Sequence, residues 1–246
     1  MTLFYLIGKT LDRPERLTGA DWPAGCVPWD LLPVRDRGVG VPEGQGLMLR
    51  GLDEAVRLVR PLMTGFGAPW GVAGGWAIDL FLGRMTRPHR DMELAIFRPD
   101  QSLLRRHLPG WRFEKVVGGR REPWSSEEIL SLPVHELHAR SAAEPTCEVE
   151  FLLNERDADD WVFRRNPAVV LPLERAFLRS ACGLPALAPE IVLLFKAKSP
   201  RPKDEADFRS ACGVMSPASR RWLRAALGVC HPDHPWLGAI AAGLDE

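Results

Sequence analysis

Two adjacent glycines, Gly74 and Gly75, separate a short apolar run, Trp70–Ala73, from a longer one, Trp76–Leu82. Trp70 to Ala73 suits a strand, and Trp76 to Leu82 suits an apolar-rich helix that Gly83 stops. Glycine has no Cβ, so the backbone can turn tightly between them and come close to a ligand. A helix that starts at such a turn aims free N–H groups into it, which suits a phosphate. After a basic loop, Asp91-Met92-Glu93 opens a second apolar run, Leu94–Phe97. Alternate side chains of a strand share a face. Asp91 and Glu93 are therefore expected to project together, with Met92 and Leu94 opposite. Two neighbouring carboxylates repel unless a cation lies between them, and Mg2+ takes oxygen ligands while keeping phosphate oxygens and water in its other positions. Gly-Gly followed by an acidic pair on a strand is the layout of a metal–nucleotide site.

The 246 residues suffice for one large domain or two small ones. Lysine plus arginine equals aspartate plus glutamate at 32 each, so bulk charge gives no case for nucleic acid or an anionic membrane as partner. The five cysteines, Cys26, Cys147, Cys182, Cys212 and Cys230, are scattered without a C-x-x-C, which fits a reduced, cytoplasmic setting. The apolar run Leu3–Ile7 is too short for a signal peptide or a membrane span.

Along the chain, prolines and glycines spread through residues 1–46 predict an irregular arm. Leu52, Val56, Val59 and Met63 recur at helical steps, predicting an amphipathic helix over Leu52–Phe66 that packs behind the glycine turn. A short helix is expected over Pro99–Leu108, a strand over Trp111–Val117, a hairpin turn at Gly118-Gly119, and a surface loop over 120–127. Cys147, Val149, Phe151 and Leu153 alternate with Glu148 and Glu150, so this strand carries two acids on one face. The face is either solvated at a sheet edge or turned toward Asp91 and Glu93. Residues 154–165 read as a solvated turn. Helices are expected over Pro189–Ser199, Lys203–Cys212 and Ser216–Leu227, the last with Ser216 as N-cap.

Gly74, Gly75, Trp76, Ala77, Asp79, Gly83, Thr86, Arg87, His89, Asp91 and Glu93 form an ordered set that resembles the polymerase-β-like nucleotidyltransferase superfamily, and within it the small aminoglycoside and lincosamide nucleotidyltransferases. The likeness continues through Trp161–Pro167 and Ala188–Phe208, leaving the N-terminal arm outside it. The implied fold is α+β: a small mixed sheet with helices forming a nucleotidyltransferase core over 47–170, followed by a C-terminal helical region over 171–246. The implied activity moves a nucleoside monophosphate, AMP from ATP, onto a hydroxyl of a small polar acceptor such as an aminoglycoside-like molecule. Two Mg2+ ions would be held by Asp91, Glu93 and Glu150, with Glu150 as the third acid and Glu148 as its rival. Gly74, Gly75, Arg87, Lys196 and Lys203 would contact the nucleotide. Glu93 departs from the commoner Asp-x-Asp by one methylene.

Several of these residues have plainer readings. Thr86, Arg87, His89 and Arg90 could form a loop that merely offsets nearby acids. Lys196, Lys198, Arg201 and Lys203, with Asp204 and Asp207, could be a solvated hinge. Cys230, His231 and His234 are interleaved by Pro232 and Pro235 with no second ligand cluster, so no zinc site is expected. Two rival functions follow from the same fold: a toxin–antitoxin-type nucleotidyltransferase that modifies RNA or protein, and a nucleotide-binding regulatory protein without turnover.

Overall fold

The computed structural model describes residues 27–28, 51–144 and 147–242. Apart from Val27 and Pro28, the expected N-terminal arm lies outside the described residues. The strands are β1 (Val27–Pro28), β2 (Trp70–Val72), β3 (Glu93–Phe97), β4 (Trp111–Val117), β5 (Arg120–Pro123), β6 (Glu136–Ser141), β7 (Glu148–Asp157), β8 (Asp160–Val162), β9 (Val170–Pro172), β10 (Phe177–Arg179) and β11 (Pro185–Leu187). The helices are α1 (Leu52–Met63), α2 (Gly74–Leu82), α3 (Gln101–His107), α4 (Pro189–Lys196), α5 (Pro202–Cys212), α6 (Pro217–Cys230) and α7 (Trp236–Ala242).

The fold is α+β around one mixed sheet of order β1-β10-β11-β2-β3-β7-β6-β4-β5, with β8 branching from β7 and β9 from β8. β2 and β3 run antiparallel, whereas β3 and β7 run parallel. The strand that carries Glu148 and Glu150 is therefore central, not an edge, because both of its flanks are paired. Cys147, Val149, Phe151 and Leu153 are all buried, as the alternation predicts, and so are Met92 and Leu94.

α2 begins at Gly74 itself and ends at Gly83, whose φ of 68° lets the chain close the helix in the left-handed conformation. α1 buries Ala55, Leu58, Val59 and Met63, a stripe rotated from the expected one, with Leu52 and Val56 at its margin. Gly118 and Gly119, at φ 57° and 78°, form the hairpin turn of β4 and β5. A turn with both central residues at positive φ matches strand twist. The surface loop expected over 120–127 is thus a strand over Arg120–Pro123. Its four exposed side chains carry no apolar alternation, and its pairing with β4 comes from backbone hydrogen bonds.

The region from 171 onward first supplies β10 and β11 to the sheet and becomes helical at Pro189. α6 is capped by Ser216, whose Oγ accepts from the Ser219 N–H at 3.1 Å. A fourth C-terminal helix, α7, follows the three expected ones and buries Trp236 and Ile240, with Trp236 stacked on Phe208 at 4.2 Å. None of the described helices is long and apolar enough to cross a membrane.

Candidate active site

Strand register assembles the acids. Glu93 of β3 lies opposite Glu150 of β7, and Glu150 lies opposite His138 of β6. Directly opposed residues share a face, so these three form one row across three strands. Asp91 is not in the strand that the alternation predicts: it lies in the loop two residues before β3 and is exposed. A cavity of about 740 Å³ is lined by Glu93 and Glu150 of this row. Its walls contain every expected site residue: Asp91, Glu93, Glu150, Gly74, Gly75, Arg87, Lys196 and Lys203.

The two acids of β7 have different surroundings. Glu148 is ion-paired with Arg121 at 2.8 Å and with Arg140, and it accepts from His138 at 3.1 Å. Although burial opposes ionisation, these partners lower its pKa. Glu150 has no such support, since its nearest cationic partner is His138 Nδ1 at 3.7 Å. Burial, followed by the charges of Glu93, Glu136 and Asp91 and only partly offset by His138, pushes the Glu150 carboxyl up to about 7. The Glu93 carboxyl is raised as well, by burial first and by Asp91 after the opposing pull of Lys196. It accepts no hydrogen bond from the described residues.

Glu136 lines the cavity and His138 contacts Glu150 next to it, and neither was expected. His138 is buried and bonds Glu136 through Nε2 at 2.9 Å. Burial disfavours its charge, but Glu136, Glu150 and Glu148 together leave its pKa raised. Possible ligand atoms of Glu136, His138 and Glu150 lie within 4.8 Å of one another, the only such group among the described residues. Asp91, Glu93 and Glu150 share the cavity without being gathered that closely.

The glycine turn has a specific occupant. Gly74 has φ 59°, and a Cβ there would stand 1.5 Å from Glu93 Oε2. At Gly75 a Cβ would stand 2.2 Å from Arg87 Nη2 and 2.5 Å from His89 Cε1. The missing side chains therefore make room for Glu93 and for the 84–90 loop. Asp79, fully buried on α2, organises that loop: it accepts from the Thr86 N–H at 3.0 Å and from the Thr86 hydroxyl, and it bonds His89 Nε2 at 2.6 Å.

Asp204 and Asp207 on α5 anchor most of the cations. Arg87 donates to both oxygens of Asp207 at 2.9 Å. Lys196 bonds Asp204 at 2.7 Å and lies 3.0 Å from Asp207. Arg201 donates to Asp204 at 2.8 Å. Lys203 is exposed and makes no hydrogen bond or ion pair with the described residues. The 154–165 segment is not only a turn. β7 runs on to Asp157, β8 pairs back on it, and Arg164 and Arg165 just beyond reach the cavity wall.

The family model for Aminoglycoside-2''-adenylyltransferase matches residues 55–116. The chain is similar to the aminoglycoside and lincosamide nucleotidyltransferases. The matched residues include the glycine turn, the 84–90 loop and the Asp91/Glu93 pair. Among solved structures, similarity is found to ANT(2'')-Ia in complex with adenylyl-2''-tobramycin, at 15% identity and TM-score 0.48, covering 72% of this chain and 97% of that one. It is also found to the lincomycin-bound lincosamide antibiotic adenylyltransferase LnuA, at 16% identity and TM-score 0.43, covering 62% and 91%. An antigenic nucleotidyltransferase-like protein from Paracoccidioides brasiliensis is similar at 16% identity and TM-score 0.41, covering 81% and 95%. No curated protein matches the chain.

Proposed function

We propose that this protein is a metal-dependent nucleotidyltransferase that moves AMP from ATP onto a hydroxyl of a small polar acceptor and releases pyrophosphate in the cytoplasm. The observation that carries this reading is the pairing of Glu93 with Glu150 on one cavity wall, beside the glycine turn, where among the described residues Glu93 makes no ion pair and Glu150 has only His138 at 3.7 Å. Both carboxylates resist ionisation where they stand. A divalent cation is the group that relieves this, and all-oxygen donors suit Mg2+. Asp91, Glu93 and Glu150 would hold one or two such ions, which when bound neutralise charge on the triphosphate and on the attacking and leaving oxygens.

The remaining roles follow from the chain's own contacts. Glu150 is the acid placed to accept the proton of the attacking hydroxyl, because Glu148 is already committed to Arg121 and Arg140. Lys203, exposed at the cavity rim and without an ion pair among the described residues, supplies positive charge to the phosphates. Asp207 fixes Arg87 and Lys196 so that both present their charge along the same wall. Asp79 positions the 84–90 loop, and through it Arg87 and His89.

The test is incubation of the full chain with Mg2+, each of the four NTPs and a panel of aminoglycosides, lincosamides and simple sugars, following pyrophosphate release and product mass. Mg2+-dependent AMP transfer that disappears in Asp91→Asn supports the reading. Labelled AMP found only on RNA or protein would favour the macromolecule-modifying rival. Nucleotide binding without transfer would favour the regulatory one.

A further inference from the structure

Arg164 and Arg165 follow β8, whose Trp161 is buried, and both line the cavity. Phe195 of α4 holds the pair in place. The Arg164 guanidinium lies 5.0 Å and that of Arg165 5.3 Å from its ring centre, and Arg165 Nη1 donates to the Phe195 carbonyl at 2.9 Å. Arg164 is half-buried and makes no hydrogen bond or ion pair with the described residues. The carboxylates whose charge it feels are already committed elsewhere: Glu155 to Arg98 at 2.6 Å, and Glu136 to His138 at 2.9 Å. Burial, reinforced by the like charge of Arg165, pulls the Arg164 guanidinium down to about 10. Arg87, Lys196 and Arg201, by contrast, all have carboxylate partners.

We infer that Arg164 and Arg165 form an anion-recognising wall of the cavity, and that the acceptor carries a carboxylate or phosphate group beside the hydroxyl it offers. This rests on the nucleotidyltransferase reading of the site and narrows its acceptor class. A guanidinium fork matches the two oxygens of a carboxylate or phosphate. Stacking on Phe195 has already restricted the two side chains, so binding costs little further ordering. A polycationic aminoglycoside would instead set ammonium groups against two guanidinium groups that have no carboxylate ion-pair partner among the described residues.

The competing source of the same chemistry is the nucleotide's own phosphates, and the experiment separates the two. The probes are glucose, glucosamine, glucuronic acid and glucose 6-phosphate, each offered to the full chain with Mg2+ and ATP. Pyrophosphate release gives KM and kcat, product mass identifies the acceptor, and calorimetry gives ATP affinity without acceptor. AMP should appear on glucuronic acid or glucose 6-phosphate in preference to the other two. Arg164→Gln should raise the KM for that acceptor by about 10-fold or more, the loss of one charge-assisted hydrogen bond, while kcat and ATP affinity change far less. Arg165→Gln, at an exposed position, carries the same expectation if Arg164→Gln does not fold. An ATP affinity that falls in step with acceptor KM overturns the inference by assigning the arginines to the nucleotide. Preferred transfer to glucosamine overturns it, and so does the absence of transfer to either anionic sugar in a protein that binds MgATP through Asp91. A wild-type protein that fails to bind MgATP overturns the underlying reading of the site and this inference with it.

Discussion

Adding a single methyl at Gly74 tests how the glycine turn serves the site. Its Cβ would stand 1.5 Å from Glu93 Oε2 and 2.4 Å from Glu93 Cδ. Ordinary contact needs about 3.5 Å, so the carboxylate must swing away by about 2 Å. The clash is with the end of a flexible side chain and can be relieved, so its cost falls on geometry more than on folding. The left-handed φ of 59° adds about 1–2 kcal/mol for any residue with a Cβ. Gly83 provides the matched control: its φ is 68°, with nothing within 4 Å of the Cβ position. Gly74→Ala and Gly83→Ala should therefore each lose about 1–2 kcal/mol in urea unfolding. Only Gly74→Ala should lose AMP transfer, by about 10²-fold, the scale of an ångström-level misplacement in an active site. Pyrophosphate release and Mg2+-dependent ATP binding are the assays. A folded Gly74→Ala that transfers AMP as fast as Gly83→Ala would refute the argument that the turn exists to seat Glu93.

Glu150→Gln should lower transfer by about 10²-fold or more with ATP binding largely retained, whereas Glu148→Gln should mainly loosen the contacts with Arg121 and Arg140; the kinetics of the two variants decide between the acids. The metal-free protein should lose stability as pH rises from about 4.5 to about 7, because the folded-state pKa of Glu150 lies above its unfolded value and the ionised form is the disfavoured one. Chemical denaturation across that range should show the loss, and Glu150→Gln should flatten it. Asp79→Ala removes the buried acceptor of Thr86 and His89 and should cost about 3–5 kcal/mol, measured by urea unfolding. Lys203→Ala should leave stability unchanged and weaken MgATP binding by about 10-fold, read by calorimetry.

Local features of this chain were legible because local chemistry dictates them. Gly83 stops α2, Gly118-Gly119 turns the β4–β5 hairpin, and Ser216 caps α6, each through backbone geometry or a short-range hydrogen bond. β5 and α7 were not legible. Arg120–Pro123 has no apolar alternation, and α7 has only seven residues, held by Trp236 against Phe208 of α5. The Asp91/Glu93 pair showed itself through its two-residue spacing, although only Glu93 lies in β3 and Asp91 sits in the loop before it. Glu136 and His138 did not, because what brings them to the site is the antiparallel register of β6 with β7, a long-range pairing. The Glu-x-His spacing on a strand with buried Leu137 and Ala139 was the one available signal. Periodicity alone placed Glu148 and Glu150 on one face. Only their neighbours separate them, since the arginines that occupy Glu148 come from β5 and β6.

The central claim is that Asp91, Glu93 and Glu150 form a metal-dependent nucleotide site. Calorimetric titration of ATP into the full chain, with Mg2+ and then with the metal chelated, tests it most directly. The account predicts binding with Mg2+, none measurable without it, and loss of the metal-dependent component in Asp91→Asn. Equal ATP affinity with and without metal, unchanged in Asp91→Asn, would contradict it.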